Sequence, residues 1–369
     1  MKNTLNLLRS VRFNVALIAV LAALFALGTL IPQEGKVPHE VEQFIASHER
    51  LGPLLLKMGL FHLYHTPLIM GLLGLLGFNI WICRVWPQLK DLIFEISNWR
   101  SRGKFNFPRA KWGSLVNHIG LVIVLSGSLI KGIWGFEEFL MILPGQDRAM
   151  ARFPASTVSL FDFTVDFYPG TTTPRVFASD IQVAAGGRVK RQTLRVNEPL
   201  SLHHLMPLAP VRLYQASWGA TGMFNSAELE LSTATRIALR MNAPERIPET
   251  PFSVTGRSMM PDFAVMGNRA DTKSLDWKEP ALSVVFDHQG VASNPIWLLL
   301  KRPGVAFEEL PDGSLRSAPP PPFRLASIDP VLFSGIQIAY DPGFPVVMLG
   351  VLFIMAGFGL YLSAKFNTL

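Results

Sequence analysis

Three histidines stand where side-chain chemistry and position coincide. His118 lies inside a long apolar run, KWGSLVNHIGLVIVLSGSLIKGIW at Lys111 to Trp134. An ionisable group is costly in such a run, so it marks either a functional group or a hydrogen bond to a neighbouring helix. A neutral imidazole is also a common ligand for metal or haem iron. His62 and His65, three residues apart, fall near one face of a helical turn. As an interfacial pair they can bind metal or haem, or simply occupy a membrane edge. At about 100° per residue, His118 shares a face with Ser114, Leu121 and Leu125. Asn117, Gly120 and Gly127 share a second, small-residue face suited to close helix packing. One face can hold a neighbouring helix while the other meets a ligand.

Cysteine counting removes a class of roles. Cys83 is the only cysteine, so the chain has no CxxC, no internal disulfide and no cysteine-built zinc site, and is not a thiol–disulfide oxidoreductase. Its place at the cytoplasmic end of an apolar run reads as a reduced, partly buried thiol. No Ser/His/Asp or paired-carboxylate arrangement justifies a catalytic residue, no metal site is expected, and no nucleotide-binding glycine loop or internal repeat is present.

The elements that must position these histidines are apolar runs near the length of a membrane helix, since about 20 residues cross a ~30 Å hydrocarbon core. Four such runs are Phe13 to Ile31, Thr66 to Ile82, Ser114 to Ile130 and Phe344 to Leu362. The net charge of +7 is not a nucleic-acid surface, because Ile133 to Pro342 holds 19 Lys/Arg against 21 Asp/Glu. The basic excess instead flanks the runs: Lys2, Arg9 and Arg12 before the first, seven Lys/Arg from Arg84 to Lys111 between the second and third, and Lys365 after the last. This positive-inside signature predicts both termini and the 84–111 loop in the cytoplasm and the 133–342 segment outside. Ala26-Leu27-Gly28 resembles a signal-peptide cleavage site, but the first run exceeds the usual h-region and is read as a retained span.

In the first outer loop, Pro32 to His65, Val41, Phe44, Ile45 and Leu51 predict a short amphipathic surface helix. Gly71, Gly74 and Gly77 in the second span predict close helix packing. Leu89, Leu92, Ile93 and Ile96 within Trp86 to Arg100 predict a helix at headgroup level. The long outer segment changes character: Thr157 to Phe167, Arg175 to Val183, Arg188 to Val196 and Val211 to Gln215 read as strands. Turns are expected at Ala185-Gly186-Gly187, Asp287 to Gly290 and Pro311-Asp312-Gly313. A mostly β, sandwich-like domain follows, with Pro319 to Pro322 as a stiff connector. Asp341-Pro342-Gly343 reads as a turn feeding the fourth helix, and Asn197 and Gln215 as groups that satisfy backbone within the β domain.

Several strings, in this order between four spans, resemble the ResB family, also called CcsB, of system II cytochrome c biogenesis. They are LRSVRFNVALIAVLAALFALGTLIPQ at Leu8 to Gln33, FHLYHTPLIMGLLGLLGFNIWICRVWP at Phe61 to Pro87 and NHIGLVIVLSGSLI at Asn117 to Ile130. The outer segment adds VFASDIQV, VNEPLSL and VRLYQASWG, and YDPGFPVVMLG precedes the fourth span. The resemblance covers essentially the whole chain. It implies a bacterial inner-membrane protein that works with a CcsA-like partner to move haem across the membrane and present it to apocytochrome c. His118 matches the third-span histidine that, in fused relatives, ligates haem with a histidine of the partner. The haem is thus expected to be b-type in transit and shared with that partner, with His65 and His62 as further candidates. A thioredoxin-like thiol reductase is a further partner. The partner's tryptophan-rich segment is absent here, Trp218, Trp277 and Trp297 being scattered. Thr66-Pro67 departs from the family pattern directly after His65, which weakens the carry-over of a role to that residue, and the outer domain is compact for the family.

The expected architecture is an α+β membrane protein. Residues 1–132 form three transmembrane helices, 133–342 an extracytoplasmic β-rich domain inserted between helices 3 and 4, and 343–369 the fourth helix and a short tail. The expected role is a subunit of a cytochrome c haem-attachment complex, without activity alone. Two alternatives stay open. A b-type haem electron-transfer subunit needs two ligands at similar depth, and a scaffold docking apocytochrome needs no haem.

Overall fold

A computed structural model describes residues 10–33, 41, 44–45, 47–48, 50–169, 174–231, 235–319 and 322–366. Lys2, Arg9, several positions of the predicted outer-loop helix and the middle of the proline run lie outside these residues. The chain divides into two compact units. One comprises Met1–Phe139, Ser201–Arg212 and Ile338–Leu369, the other Leu140–Leu200 and Leu213–Gln337.

The first unit is helical. Its elements are α1 (Val11–Leu30), α2 (Leu51–Lys57), a 3-10 turn (Leu60–His65), α3 (Pro67–Ile80), a π turn (Trp81–Val85), α4 (Trp86–Arg102), α5 (Arg109–Trp134) and α6 (Phe344–Phe366). Four helical runs, Val11–Leu30, Pro67–Trp99, Arg109–Trp134 and Phe344–Phe366, are long and apolar enough to cross a membrane. The second is longer than its apolar run because nothing breaks it. The Trp86 N–H reaches back to the Trp81 carbonyl, five residues away, and Pro87 falls in the first turn of α4, where its missing N–H costs little. Cys83 sits half-buried in this π turn. Of the predicted headgroup stripe, Leu89 and Leu92 pack with Val85, Phe107 and Leu115, whereas Ile93 and Ile96 stay exposed.

Helix α1 packs on α3 through Leu17, Leu21, Ile69, Leu73, Leu76 and Ile80. Within that apolar seam Asn14 Nδ2 donates to Oδ1 of the fully buried Asn79 at 2.8 Å, a polar pair of the kind that fixes register between membrane helices. Helices α5 and α6 meet more closely. Glycines recur every seven residues on both, at 113, 120 and 127 on α5 and at 343, 350 and 357 at the start of and along α6. A methyl on Gly113 would lie 2.6 Å from the Tyr361 nitrogen, and one on Gly120 2.8 Å from the Gly350 carbonyl. On Gly357 it would lie 2.5 Å from the Asn117 nitrogen. The backbones therefore touch, as predicted for the Asn117, Gly120 and Gly127 face. The second-span glycines do not behave this way. Gly71 has nothing within 4 Å, and Gly74 and Gly77 meet the side chains of Leu129 and Leu125 at 3.9 and 3.7 Å. There the partner helix offers leucines that fill the gap, so the axes stay apart.

The strands β1 (Phe136–Ile142) to β18 (Phe323–Tyr340) follow α5 and precede α6 in the chain. In the β unit, β2 (Asp147–Met150), β3 (Phe153–Phe167), β4 (Pro174–Ala185) and β5 (Arg188–Arg195) form an antiparallel sheet in that order. A second sheet runs β17 (Leu315–Ala318), β16 (Ala306–Glu309), β15 (Ile296–Leu299), β13 (Ala281–His288), β10 (Phe252–Met260) and β9 (Pro244–Arg246), with β14 (Val291–Ala292) beside β13. β18 pairs with β7 (Val211–Leu231), which also carries β8 (Thr235–Leu239). The predicted turns appear with the backbone they require: Gly186 and Gly187 have φ of 56° and 73°, and Gln289 and Gly290 have 54° and 87°, the primed-turn geometry of two-residue hairpins. Asn197, also at positive φ (66°), occupies a tight turn. The apolar core gathers Phe224, Leu229, Val254, Leu282, Val284 and Leu298. Gln215 is buried but spends its amide mainly on side chains, bonding Ser179 Oγ at 2.5 Å and Ser334 Oγ at 3.0 Å, with Ser217 O at 3.1 Å. It therefore ties β4 to β7 and β18.

Three outcomes follow for thermal unfolding of the full chain in detergent. Gly120→Ala should destabilise by about 1–3 kcal/mol through overpacking, while Gly71→Ala should be neutral or stabilise by up to about 1 kcal/mol. Gln215→Leu should cost about 1–3 kcal/mol by breaking the amide's bonds to the buried Ser179 and Ser334 hydroxyls.

Candidate functional site

His62 and His65 are held by a turn that is fixed at both ends. Gln33, just past α1, donates from Nε2 to the Leu60 carbonyl at 3.0 Å and accepts the Leu63 N–H at Oε1 at 3.2 Å. At the other end Thr66 caps α3. Its Oγ1 accepts from Ile69 N at 3.4 Å and donates to the Leu63 carbonyl at 2.8 Å, and Pro67 opens the helix. The Thr66-Pro67 pair thus has a structural reason: a cap and a helix-starting proline. Phe61 and Leu63 turn inward and are almost fully buried. His62, whose φ of −122° departs from helical values, and His65 are left to the outside of the turn.

Both histidines line a cavity of about 1010 Å³ within the helical unit. That is at the upper end of the range for small-molecule and cofactor sites. Its walls are largely apolar, with Phe25, Phe61, Leu73, Leu125, Phe136 and Phe344 among them. Three charged side chains also reach it. Lys131 Nζ lies 3.3 Å from Glu137 Oε1 and 3.4 Å from Asp341 Oδ2. The other carboxylate oxygen of Asp341 accepts the Phe344 N–H at 2.8 Å, so the predicted turn into the fourth helix is also its N-terminal cap. Tyr64 completes this wall, its hydroxyl packed so tightly on α1 that a methyl on Gly28 would lie 2.8 Å from it.

His118 is not among the lining residues. Seven residues of helix separate it from Leu125, the nearest α5 residue in the cavity wall, about 10 Å along α5 at 1.5 Å per residue. Its ring is half-buried, and Nδ1 lies 2.6 Å from the Ser114 carbonyl and 3.4 Å from Ser114 Oγ. A carbonyl can only accept, so Nδ1 carries the proton and Nε2 keeps its lone pair. The Ser114 hydroxyl is in turn held by Gln88 Nε2 from α4 at 3.1 Å. Such backing of one ring nitrogen is how proteins orient imidazoles that ligate through the other. Leu121, one turn on, is 37% exposed, while Ser114 and Leu125 on the same face meet Gln88 of α4 and Gly77 of α3. Leu125 continues the same face to the cavity.

The histidines were legible in sequence; the cations and anions around them were not. Lys131 stood out only as a flank of the third apolar run, and Asp341 only as a turn. A lysine within one turn of a helix end, followed six residues later by Glu137, was the available signal.

Comparison with known proteins follows this geometry. The family model described as "ResB-like family" matches residues 11–110 and 101–307. A protein named cytochrome c biogenesis protein CcsB from Synechococcus sp. (strain JA-3-3Ab) is 27% identical, with 96% of this chain and 80% of the relative covered. CcsB of Prochlorococcus marinus is 23% identical over 97% of this chain and 88% of its own length. CcsB of Thermosynechococcus vestitus is 24% identical over 96% and 86%. With four helices able to cross a membrane and a substantial β unit, the chain belongs to the ResB-like family.

Proposed function

We propose that this chain serves cytochrome c biogenesis as one half of a membrane complex that carries haem across the bilayer and presents it to apocytochrome c. The observation that carries this reading is His118: its Nδ1 proton is committed to the Ser114 carbonyl, which leaves Nε2 able to bind iron. Its relatives' shared name, cytochrome c biogenesis protein CcsB, supports the process. The exposed Leu121 beside the ring supports a ligand pair completed by a second chain, a CcsA-like protein. In this reading haem is cargo. Histidine ligation holds the iron at depth, and His62 and His65 in the outer cavity offer donors at the exit side. Two imidazoles among aromatic and aliphatic walls suit a porphyrin, whose ring needs apolar contact and whose iron needs a nitrogen ligand.

The orientation follows from charge. The basic 84–111 loop and both termini lie in the cytoplasm and the β unit outside, in a bacterial inner membrane. The β unit is then placed to meet apocytochrome c, with a thioredoxin-like reductase keeping its cysteines reduced. The electron-transfer alternative is less well supported, because about 10 Å of helix separates His118 from Leu125, the nearest α5 residue of the wall that His62 and His65 share. Neither of those two is therefore placed to pair with His118 at equal depth.

Co-purification with the CcsA-like partner and a haem absorption spectrum tests the assignment. His118→Ala should lower retained haem by about tenfold or more, since losing even a group behind a ligand costs about 10–100-fold. Added imidazole should restore part of the signal. An unchanged spectrum with normal cytochrome c maturation would eliminate the ligand role.

A further inference from the structure

We propose that the outer cavity is a carboxylate-reading site in which Lys131 binds the acid groups of a porphyrin cargo, exchanging Glu137 for a ligand carboxylate. The inference rests on the haem reading above and adds to it the group that distinguishes porphyrin acids from other apolar planar molecules. Three observations support it. Lys131 is the lysine that lines a cavity whose remaining walls are largely apolar, and it shares that cavity with His62 and His65. Its ammonium already holds two carboxylates, at 3.3 and 3.4 Å, so the geometry of an acid bound to Nζ is built into the wall. The two carboxylates are also not equivalent. Asp341 is committed to the first turn of α6 through the Phe344 N–H. Glu137 belongs to β1, just beyond α5.

The exchange costs little. Lys131 and Glu137 side chains are 43% and 25% exposed, and ion pairs that water reaches are weakly held. Replacing one carboxylate by another on the same ammonium keeps the charge balance at Lys131 and releases Glu137 to water. A ligand whose acids are esterified has no such exchange to make and leaves the Lys131–Glu137 pair in place. The apolar walls would hold ester and acid alike, so discrimination rests on the lysine. The cavity volume and the paired imidazoles favour a porphyrin over a single-chain fatty acid, the other membrane source of a carboxylate.

Iron-free protoporphyrin IX and its dimethyl ester, titrated by fluorescence into the full-length protein in detergent, separate this proposal from histidine ligation. The ratio of acid to ester affinity should fall about two- to fivefold in Lys131→Met, the size of one partly exposed charge pair. Lys131→Arg should keep the ratio. Should Lys131→Met fail to fold, Glu137→Gln decides: with the competing carboxylate gone, affinity for the diacid should rise while that for the ester stays constant. An acid-to-ester ratio unchanged in both Lys131→Met and Glu137→Gln would overturn the proposal. So would absence of porphyrin binding, or displacement of the porphyrin by equimolar oleate. The His118-dependent haem spectrum of the two-chain complex is read independently, so either idea can fail while the other stands.

Discussion

Backbone contact between α5 and α6 is the constraint on which the rest depends. Side chains normally hold helix axes about 8–10 Å apart, and glycine at matched heptad positions removes that spacer on both partners. In a bilayer, where the hydrophobic effect does not drive helices together, such close van der Waals contact is a main source of association. The contact also brings the C-terminal end of α5 beside the start of α6. Gly127 faces Gly343 at that end, and every strand from β1 to β18 lies between. The same closeness brings Asp341 to Lys131, though the two are far apart in sequence.

Several polar side chains of the helical unit have partners that account for them. Asn14 and Asn79 satisfy one another. Ser114 receives Gln88 and supplies the carbonyl that orients His118. Lys131, Glu137 and Asp341 neutralise one another at a cavity wall. An unpaired polar group in an apolar medium costs several kcal/mol, so these pairings explain how the residues are tolerated. His118 differs from the rest in that its Nδ1 is held by a bond within its own helix.

Local features were legible in the sequence and contacts between distant segments were not. The helix faces of α5 followed from 3.6-residue periodicity, which placed Ser114 beneath His118 and set the glycines apart from both. The hairpin turns followed from Gly186-Gly187 and Gln289-Gly290. Glycine spacing alone misled in α3, because it does not reveal whether the opposing helix presents backbone or leucine. Strand β7 runs to Leu231, far beyond the expected Gln215. Its Gly219 makes room for the Phe333 ring, which a methyl there would approach to 2.6 Å. The Lys131 cluster needed the α5–α6 contact before its members could be seen as neighbours.

The paired helices have a consequence for the unfolded chain as well. A segment whose two ends are pinned side by side is a closed loop even when its strands have melted, much as if a covalent staple joined Gly127 to Gly343. Such closure restricts the denatured ensemble more than the native one, by an amount that grows with the logarithm of loop length. A domain of β-strands can thus borrow stability from a glycine seam, and any solvent that loosens the seam will soften the strands too.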